Sequence, residues 1–345
     1  MTSRIEIDLA AFRSNVRALS AIAAPARTML AVKADGYGHG MIPIARAALS
    51  AGADSLAVLD VDAALEVRRA GLEAPVFAWL HGAETDFRAA IDADVDLGIS
   101  SLVELRRVAD AGGSRPAAVH LKIDTGLHRN GASPEDWPGL VTAALADDRV
   151  RIAGIWSHLA DASPEADAVA LGEFRAALAV ATALGVPADG PERPIVHLAA
   201  SSAGIRMPEA RFDLVRFGIA AYGSSPFDDR TAAELGMRPP MTMYGTVIES
   251  RDGRTTFDLG AADGIPPLLL GAHVLVAGRP AGVLVVDVDT TTVDGKAEVG
   301  AEVIVFGPGD RGELTVEQVA AWAETIGDEV LARASTRIPR VYLDE

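Results

Sequence analysis

Eight short apolar runs recur between Arg27 and Gly223, each followed by a loop and then by a segment of helical period. They are 28–33 (TMLAVK), 54–59 (DSLAVL), 75–79 (PVFAW), 95–99 (VDLGI), 117–123 (AAVHLKI), 151–156 (RIAGIW), 195–199 (IVHLA) and 213–217 (DLVRF). Runs apolar on both faces suit strands of a buried parallel sheet. Segments such as SLVELRRVADAG and GEFRAALAVATALG space their apolar residues three and four apart, as amphipathic helices do. Eight such units in succession predict a TIM-type (β/α)8 barrel, with a doubly wound open sheet as the alternative. Beyond Met237 the texture changes: MTMYGTVIES, TTFDL, HVLVAG, GVLVVDVD and EVIVFG read as strands, interrupted by a single helical segment, TVEQVAAWAETIGDEVLAR. The chain is therefore expected to divide into a barrel over residues 1–236 and a smaller, mainly β C-terminal domain over 237–345. The turn-rich, charged stretch SPFDDRTAAELGMRPP is the expected joint.

Composition removes several classes of function. The chain has 345 residues, 49% of them hydrophobic, enough to bury a large core. Its 31 Lys plus Arg against 48 Asp plus Glu leave a net charge of -17, which repels nucleic acid and anionic membrane surfaces. There is no cysteine, so disulfides, thiolate metal sites and cysteine nucleophiles are all excluded, and no metal site is expected. Residues 1–10 lack a basic-then-apolar signal pattern, and every apolar stretch is interrupted before it reaches the length of a membrane span. A soluble, cytoplasmic protein is expected.

The polar residues that break the apolar runs fall at strand ends, where a barrel places its catalytic groups. Lys33 ends the first run, Lys122 and Asp124 end the fifth, and His158 follows the sixth. HLAASSAG (197–204) closes the seventh, and VRFGIAAYG (215–223) carries Arg216 and Gly218 out of the eighth. Singly, each has a plain structural reading: a snorkelling lysine, a hydrogen-bonded core histidine, a turn glycine. Together they suit a pyridoxal phosphate site. A partly desolvated lysine amine is a competent Schiff-base former. The Gly- and Ser-containing loops after the last two strands lie where barrels commonly bind a phosphate. Arg216, which does not give up its proton, would keep a pyridine nitrogen unprotonated and so restrain the electron sink.

These residues resemble the alanine racemases, fold-type III pyridoxal phosphate enzymes. The likeness runs over nearly the whole chain: VKADGYGHG (32–40), LKIDTGLHRNG (121–131), SHLA (157–160), VRFGIAAYG (215–223), FGPG (306–309) and RIPRVYL (337–343). It implies that Lys33 binds the cofactor and is the base on one face of Cα. Tyr37 and Ser201 would bind phosphate beside the backbone of Gly218 and Ile219, and Arg216 would contact the pyridine nitrogen. It further implies that Arg129 faces the cofactor ring oxygen and the carboxylate of an amino-acid substrate. Lys122, carbamylated in many members, would hold Arg129 in place, and His158 would hydrogen-bond Arg216. The implied assembly is a head-to-tail homodimer in which the β domain of one chain closes the barrel mouth of the other.

The pattern departs from the family in the β domain. The second base, a tyrosine in a G-Y-A-D-G motif, is Ala261 in LGAADGIPP. An upstream Y-G-x-T-Y segment is missing, because TVIES passes through RDGR directly to TTFDLG. The usual M-D pair is Val286 and Asp287, the tyrosine of an I-N-Y-E motif is replaced by Asp328, and the asparagine before the phosphate-site serine is Ala200. Two-base racemisation needs an acid/base on each face of the substrate, and losing one positioned proton-transfer group costs about 10²- to 10⁴-fold. The expectation is a nominal amino-acid racemase with altered or reduced racemisation. One alternative is decarboxylation or one-faced Cα proton exchange on a larger amino acid; another is a pyridoxal-phosphate-binding dimer without turnover. Visible absorbance separates binders from non-binders, and Cα exchange with deuterated solvent separates enzymes from carriers. Tyr244 is a candidate replacement hydroxyl with a plainer reading as packing, and His39 and Trp79 read as loop and core residues.

Overall fold

The computed structural model describes residues 3–344, and their internal contacts divide the chain into two compact units. One comprises Leu19–Lys33 and Gly52–Gly218. The other takes the N-terminal residues through Ala18, Ala34–Ala51 and the chain from Ile219 on, and it includes β1 (Arg4–Asp8).

The first unit is built on eight parallel strands: β2 (Arg27–Ala31), β3 (Ser55–Val58), β4 (Val76–Ala78), β5 (Val95–Ile99), β6 (Ala117–Lys122), β7 (Val150–Trp156), β8 (Ile195–His197) and β9 (Leu214–Phe217). Each pairs with the next from β2 to β8, and β9 pairs with β2. The ring closes where the amides of Asp213 and Arg216 donate to the carbonyls of Val196 and Ala199, both at 3.0 Å. Closure excludes the open-sheet alternative, since a doubly wound sheet leaves two free edges. Each expected run overlaps one of these strands; Lys122 is the last residue of β6, Arg216 the last but one of β9, and Lys33 and His158 lie just beyond β2 and β7. Met29, Ala57, Phe77, Trp156 and Leu214 form a buried cluster inside the ring, as the filled interior of a TIM barrel requires. Helices follow the strands where the sequence supplies a cap. The side chains of Asp60, Asp86, Ser101 and Ser163 accept from the amides of Ala63, Ala89, Glu104 and Ala166 at the starts of their helices.

The second unit carries β10 (Met241–Arg251), β11 (Arg254–Phe257), β12 (His273–Val276), β13 (Arg279–Val286), β14 (Thr291–Asp294), β15 (Glu302–Phe306) and β16 (Arg340–Leu343). The long β10 pairs with both β11 and β15, so the strands β11-β14-β13-β12-β15-β10 close on themselves, and β1 and β16 extend the sheet from β10. Between β10 and β11 the chain turns on Asp252 and Gly253 alone, at φ 54° and 78°. Two successive positive-φ residues are the signature of a type I′ hairpin, for which Asp-Gly is a preferred pair.

Three features differ from the sequence expectation. The N-terminal β1 belongs to this second sheet, pairing antiparallel with β10 and parallel with β16. Its alternation of buried Ile5 and Ile7 with Arg4 and Glu6 spans too few residues to register as a period. Strands β14 and β16 fall in stretches not read as strands. The single helical segment is two helices, Val316–Trp322 and Gly327–Ala332. The break comes at Glu324, whose φ of 52° no helix continues through. No helix among the described residues is long and apolar enough to cross a membrane.

Candidate active site

In the barrel unit the polar groups gather around Arg216, the third residue of β9. Its side chain is buried and makes hydrogen bonds only as a donor: Nη1 to Nδ1 of His197 (2.9 Å), and Nη2 to the Ser157 carbonyl (2.8 Å), the Leu198 carbonyl (2.9 Å) and Nδ1 of His158 (3.2 Å). A guanidinium has no lone pair to offer, so Nδ1 of both histidines is unprotonated and each imidazole carries at most its Nε2 proton. Burial, reinforced by the charges of Arg216, Arg129, Lys122 and Lys33, holds His158 well below the ordinary histidine range. His197 is pushed down in the same direction by burial, then by Arg216. Burial also lowers Arg216, to about 9, which leaves it charged at neutral pH. The four acceptors engage Nη1 and Nη2, leaving Nε-H and the second Nη1-H to serve a further acceptor.

Lys122, the last residue of β6, is buried with its ammonium 4.9 Å over the Trp156 ring, and Nζ donates to the Arg129 carbonyl at 2.7 Å. The Arg129 side chain itself is exposed on the loop after β6. Ser201 opens the helix Ser201–Arg206, and its Oγ accepts from the Gly218 amide at 3.1 Å. Gly204, one turn on, packs so closely on β9 that a Cβ there would lie 2.5 Å from Val215. Lys33 follows Val32, whose amide extends the β2 pairing to the Ala57 carbonyl at 2.8 Å. The barrel therefore brings Lys33, Lys122, His158, Ser201, Arg216 and Gly218 onto the C-terminal ends of its strands, on the side the sequence predicts.

The second unit holds Tyr37 and Ile219. From Ala34 to Gly38 every residue is left-handed, with φ of 51°, 53°, 59°, 49° and 74°. For Ala34, Asp35 and Tyr37 that conformation costs about 1–2 kcal/mol each, so the turn must be held from outside. His39 Nδ1 donates toward the carbonyls of Tyr37 (2.9 Å) and Gly36 (3.1 Å), and the Asp35 carboxylate accepts from the Met41 amide (2.7 Å). From the C-terminal strand, Arg340 Nη2 donates to the Gly38 carbonyl (2.9 Å) and the Tyr342 hydroxyl to that of His39 (3.1 Å). Gly38 and Gly40 leave no room for a Cβ, which would meet the Leu331 carbonyl and the Tyr342 hydroxyl. The Tyr37 ring stands 4.5 Å from that of Tyr222, and burial together with the charge of Asp328 raises its hydroxyl well above the usual tyrosine range. Asp328 therefore lies in the electrostatic field of Tyr37, and His39, expected as a loop residue, is the buried staple of that loop.

In the same unit Ala261 opens a short turn, Ala261–Asp263, whose first two amides donate to the carbonyls of Asp287 (2.9 Å) and Val288 (2.8 Å). A Cβ at the preceding Gly260 would collide with those same carbonyls at 2.5 Å, so the glycine is required. The turn is braced by Asp263, which accepts from Gly260 N (3.0 Å) and Arg337 (2.9 Å). Tyr244 packs with Leu275 and Ile304 beneath the Arg4 guanidinium, 4.1 Å from its ring, and borders a cavity of about 160 Å³ lined by Glu6, Arg238, Asp310 and Arg311. This is the packing environment of its plainer reading.

Sequence reasoning missed His120, His197, Ser157 and Trp156 as parts of the barrel site. The signal was present: His120 and Lys122 are two apart in an otherwise apolar run, hence on one face of β6, and His197 interrupts β8 in the same way. Single histidines within apolar runs were indistinguishable from satisfied core residues.

Lys122 generates a pH prediction. Burial, then the charges of Arg216 and Arg129, lowers it from 10.5 to about 8. Between these values the unfolded chain holds a proton that the folded chain has released, so the contribution of Lys122 to stability rises with pH across that window. In urea unfolding, wild type should gain on Lys122→Met by on the order of 2 kcal/mol from the lower to the upper end of the window. A difference that is constant or of opposite slope would contradict the assignment.

Known proteins resemble this chain over nearly its whole length. Residues 7–226 match the family model described as alanine racemase, N-terminal domain, and residues 244–342 match that described as alanine racemase, C-terminal domain. A curated alanine racemase of Frankia casuarinae is 42% identical over an alignment 370 positions long, covering 98% of this chain and 95% of its own. The crystal structure of alanine racemase from Streptomyces lavendulae, a D-cycloserine producer, superposes with a TM-score of 0.94 at 37% identity, covering 100% of this chain and 98% of its own. The alanine racemase of Streptomyces coelicolor A3(2) gives 0.94 at 39% identity, with coverages of 100% and 98%. With both of its domain models matched in order and relatives of this similarity spanning nearly its whole length, this chain belongs to the alanine racemase family.

Proposed function

We propose that this chain is a pyridoxal-phosphate-dependent enzyme acting at Cα of an amino acid, nominally a racemase, that moves the Cα proton chiefly on one face. The observation that carries the reading is the buried Arg216, which can only donate and still has Nε-H and one Nη1-H to give. That donor set fits an unprotonated ring nitrogen, and the enzymes of this family use pyridoxal 5′-phosphate. Bound there, the cofactor supplies a sink for the electron pair left at Cα.

The residues divide the work as follows. Lys33 would hold the cofactor at its aldehyde carbon and, as a free amine once the substrate's amino group has displaced it there, would take the proton from Cα on its own face and return it. Ser201 and the amides of Gly218 and Ile219 bind the phosphate, as does the Tyr37 hydroxyl, which its surroundings keep protonated and able to donate. Arg129 receives the substrate carboxylate, and Lys122 fixes the loop that carries it through the Arg129 carbonyl. His158 and Arg216 hold one another. Residues 1–236 supply most of the cofactor site, and residues 237–345 form the second functional domain. At the position of the family's second base this chain has Ala261, a methyl group without an exchangeable proton.

For any amino acid bound, exchange of the Cα hydrogen with deuterated solvent should outpace loss of optical activity, and Ala261→Tyr should raise racemisation relative to exchange. Equal rates of exchange and racemisation in wild type would mean that another group serves the second face.

The chain should also be a homodimer. Leu268, Leu270, Trp322 and Ile326 are 58%, 51%, 46% and 64% exposed, and Gly271 approaches the Trp322 ring, so the second unit carries an apolar patch of the kind that a partner covers. Sedimentation equilibrium at assay concentrations should give twice the chain mass, and a monomer would refute the assembly.

A further inference from the structure

Behind Arg216 lies a line of groups that no proton-transfer or binding role described above uses. Nδ1 of His197 accepts from Arg216, so its single proton sits on Nε2, and that atom is 2.8 Å from Nδ1 of His120. His120 Nδ1 is therefore the acceptor, and the only ring proton His120 can carry is on Nε2, which stands 3.3 Å from Oδ2 of Asp96, outside hydrogen-bond alignment. The direction of the whole chain is set by its first member, because a guanidinium cannot accept.

The barrel is shaped to admit this line. The β6–β7 pairing shifts register between Val119 and His120, an irregularity of the kind that re-aims a side chain. Opposite His120 the chain has Gly154, where a Cβ would lie 2.3 Å from His120 Nδ1. Trp156 stacks on His197 at 5.7 Å with ring planes 6° apart, and its indole donates to the His120 carbonyl at 3.2 Å. Phe77 packs on both imidazoles, with ring centroids 4.7 Å and 5.5 Å away. His120 and His197 are 1% and 0% exposed, so water does not compete for these bonds.

We propose that His197, His120 and Asp96 are positioning residues for Arg216: a one-directional polar line through the barrel core that fixes the plane of the guanidinium and ties its charge to a carboxylate on β5. Its consequence for the cofactor rests on the function proposed above, whereas the line itself does not. With Nη1 anchored to His197 and Nη2 to the carbonyls of Ser157 and Leu198, the guanidinium cannot rotate, and its remaining N-H bonds are aimed without a carboxylate in direct contact.

The direct test is nitrogen-15 NMR of histidine-labelled holoenzyme, with signals assigned from the His120→Asn and His197→Asn spectra. Both imidazoles should be singly protonated at Nε2. A proton on Nδ1 of either, or a doubly protonated ring, overturns the proposal whether or not cofactor binds. The positioning role is read from a pair of variants at His197. Asparagine places its Oδ1 where Nδ1 stood and still accepts from Arg216, while phenylalanine leaves that bond unmade. His197→Phe should weaken pyridoxal phosphate affinity by about ten- to a hundredfold, and His197→Asn should recover most of that loss. Equal affinity losses in the two variants would reduce His197 to a packing residue and overturn the role. Absence of cofactor binding in the wild type would instead defeat the proposed function and leave the NMR result standing.

Discussion

The barrel site depends on a cation buried without a carboxylate against it. Arg216 is 7% exposed, and its acceptors are two neutral imidazoles and two backbone carbonyls. Taking a charge out of water is costly unless hydrogen bonds replace the lost solvation, and this constraint accounts for much of what surrounds it. Burial first, and then the charge of Arg216, keeps His158 and His197 neutral and depresses Lys122. Trp156, 5.1 Å from the guanidinium, closes one side with a ring face. Packing of β9 against the helix that Ser201 opens, made close by Gly204, then places Ser201 within reach of the Gly218 amide two residues beyond Arg216.

The second unit contributes a different kind of constraint. Five successive left-handed residues after Lys33 would not persist in isolation, and they are held by His39 and Asp35 within the loop and by Arg340 and Tyr342 of the C-terminal strand. The closing RIPRVYL motif thus earns a structural reason, since it fastens the loop that carries Tyr37. The same unit carries Ala261 in a turn braced by Asp263.

Much of this was legible in the sequence because it is periodic or terminal. Eight both-faces-apolar runs separated by helical segments specify a barrel, and the polar residues at the ends of such runs, Lys33, Lys122, His158 and Arg216 among them, fall at the C-terminal ends of its strands. What stayed hidden depends on pairing across large sequence separations. Strand β1 shows itself only through partners more than two hundred residues away, at Met241–Tyr244 and Arg340–Leu343. The His120–His197 contact joins residues 77 apart, and nothing local to either distinguishes it from ordinary core packing. In the sequence the left-handed turn shows only as a glycine-containing loop, because Ala34, Asp35 and Tyr37 are not residues that announce positive φ. The break after Trp322 was concealed by apolar spacing that continues through it.

The central claim is that Lys33 carries the cofactor, and the chain offers an unusually clean test, since it contains three lysines: Lys33, Lys122 and Lys296. Holoenzyme loaded with pyridoxal 5′-phosphate is reduced with borohydride, digested and mapped by mass spectrometry. The account predicts the reduced pyridoxyl group on the peptide containing Lys33 and on no other. A label on Lys122 or Lys296, or no fixed label despite bound cofactor, would contradict it.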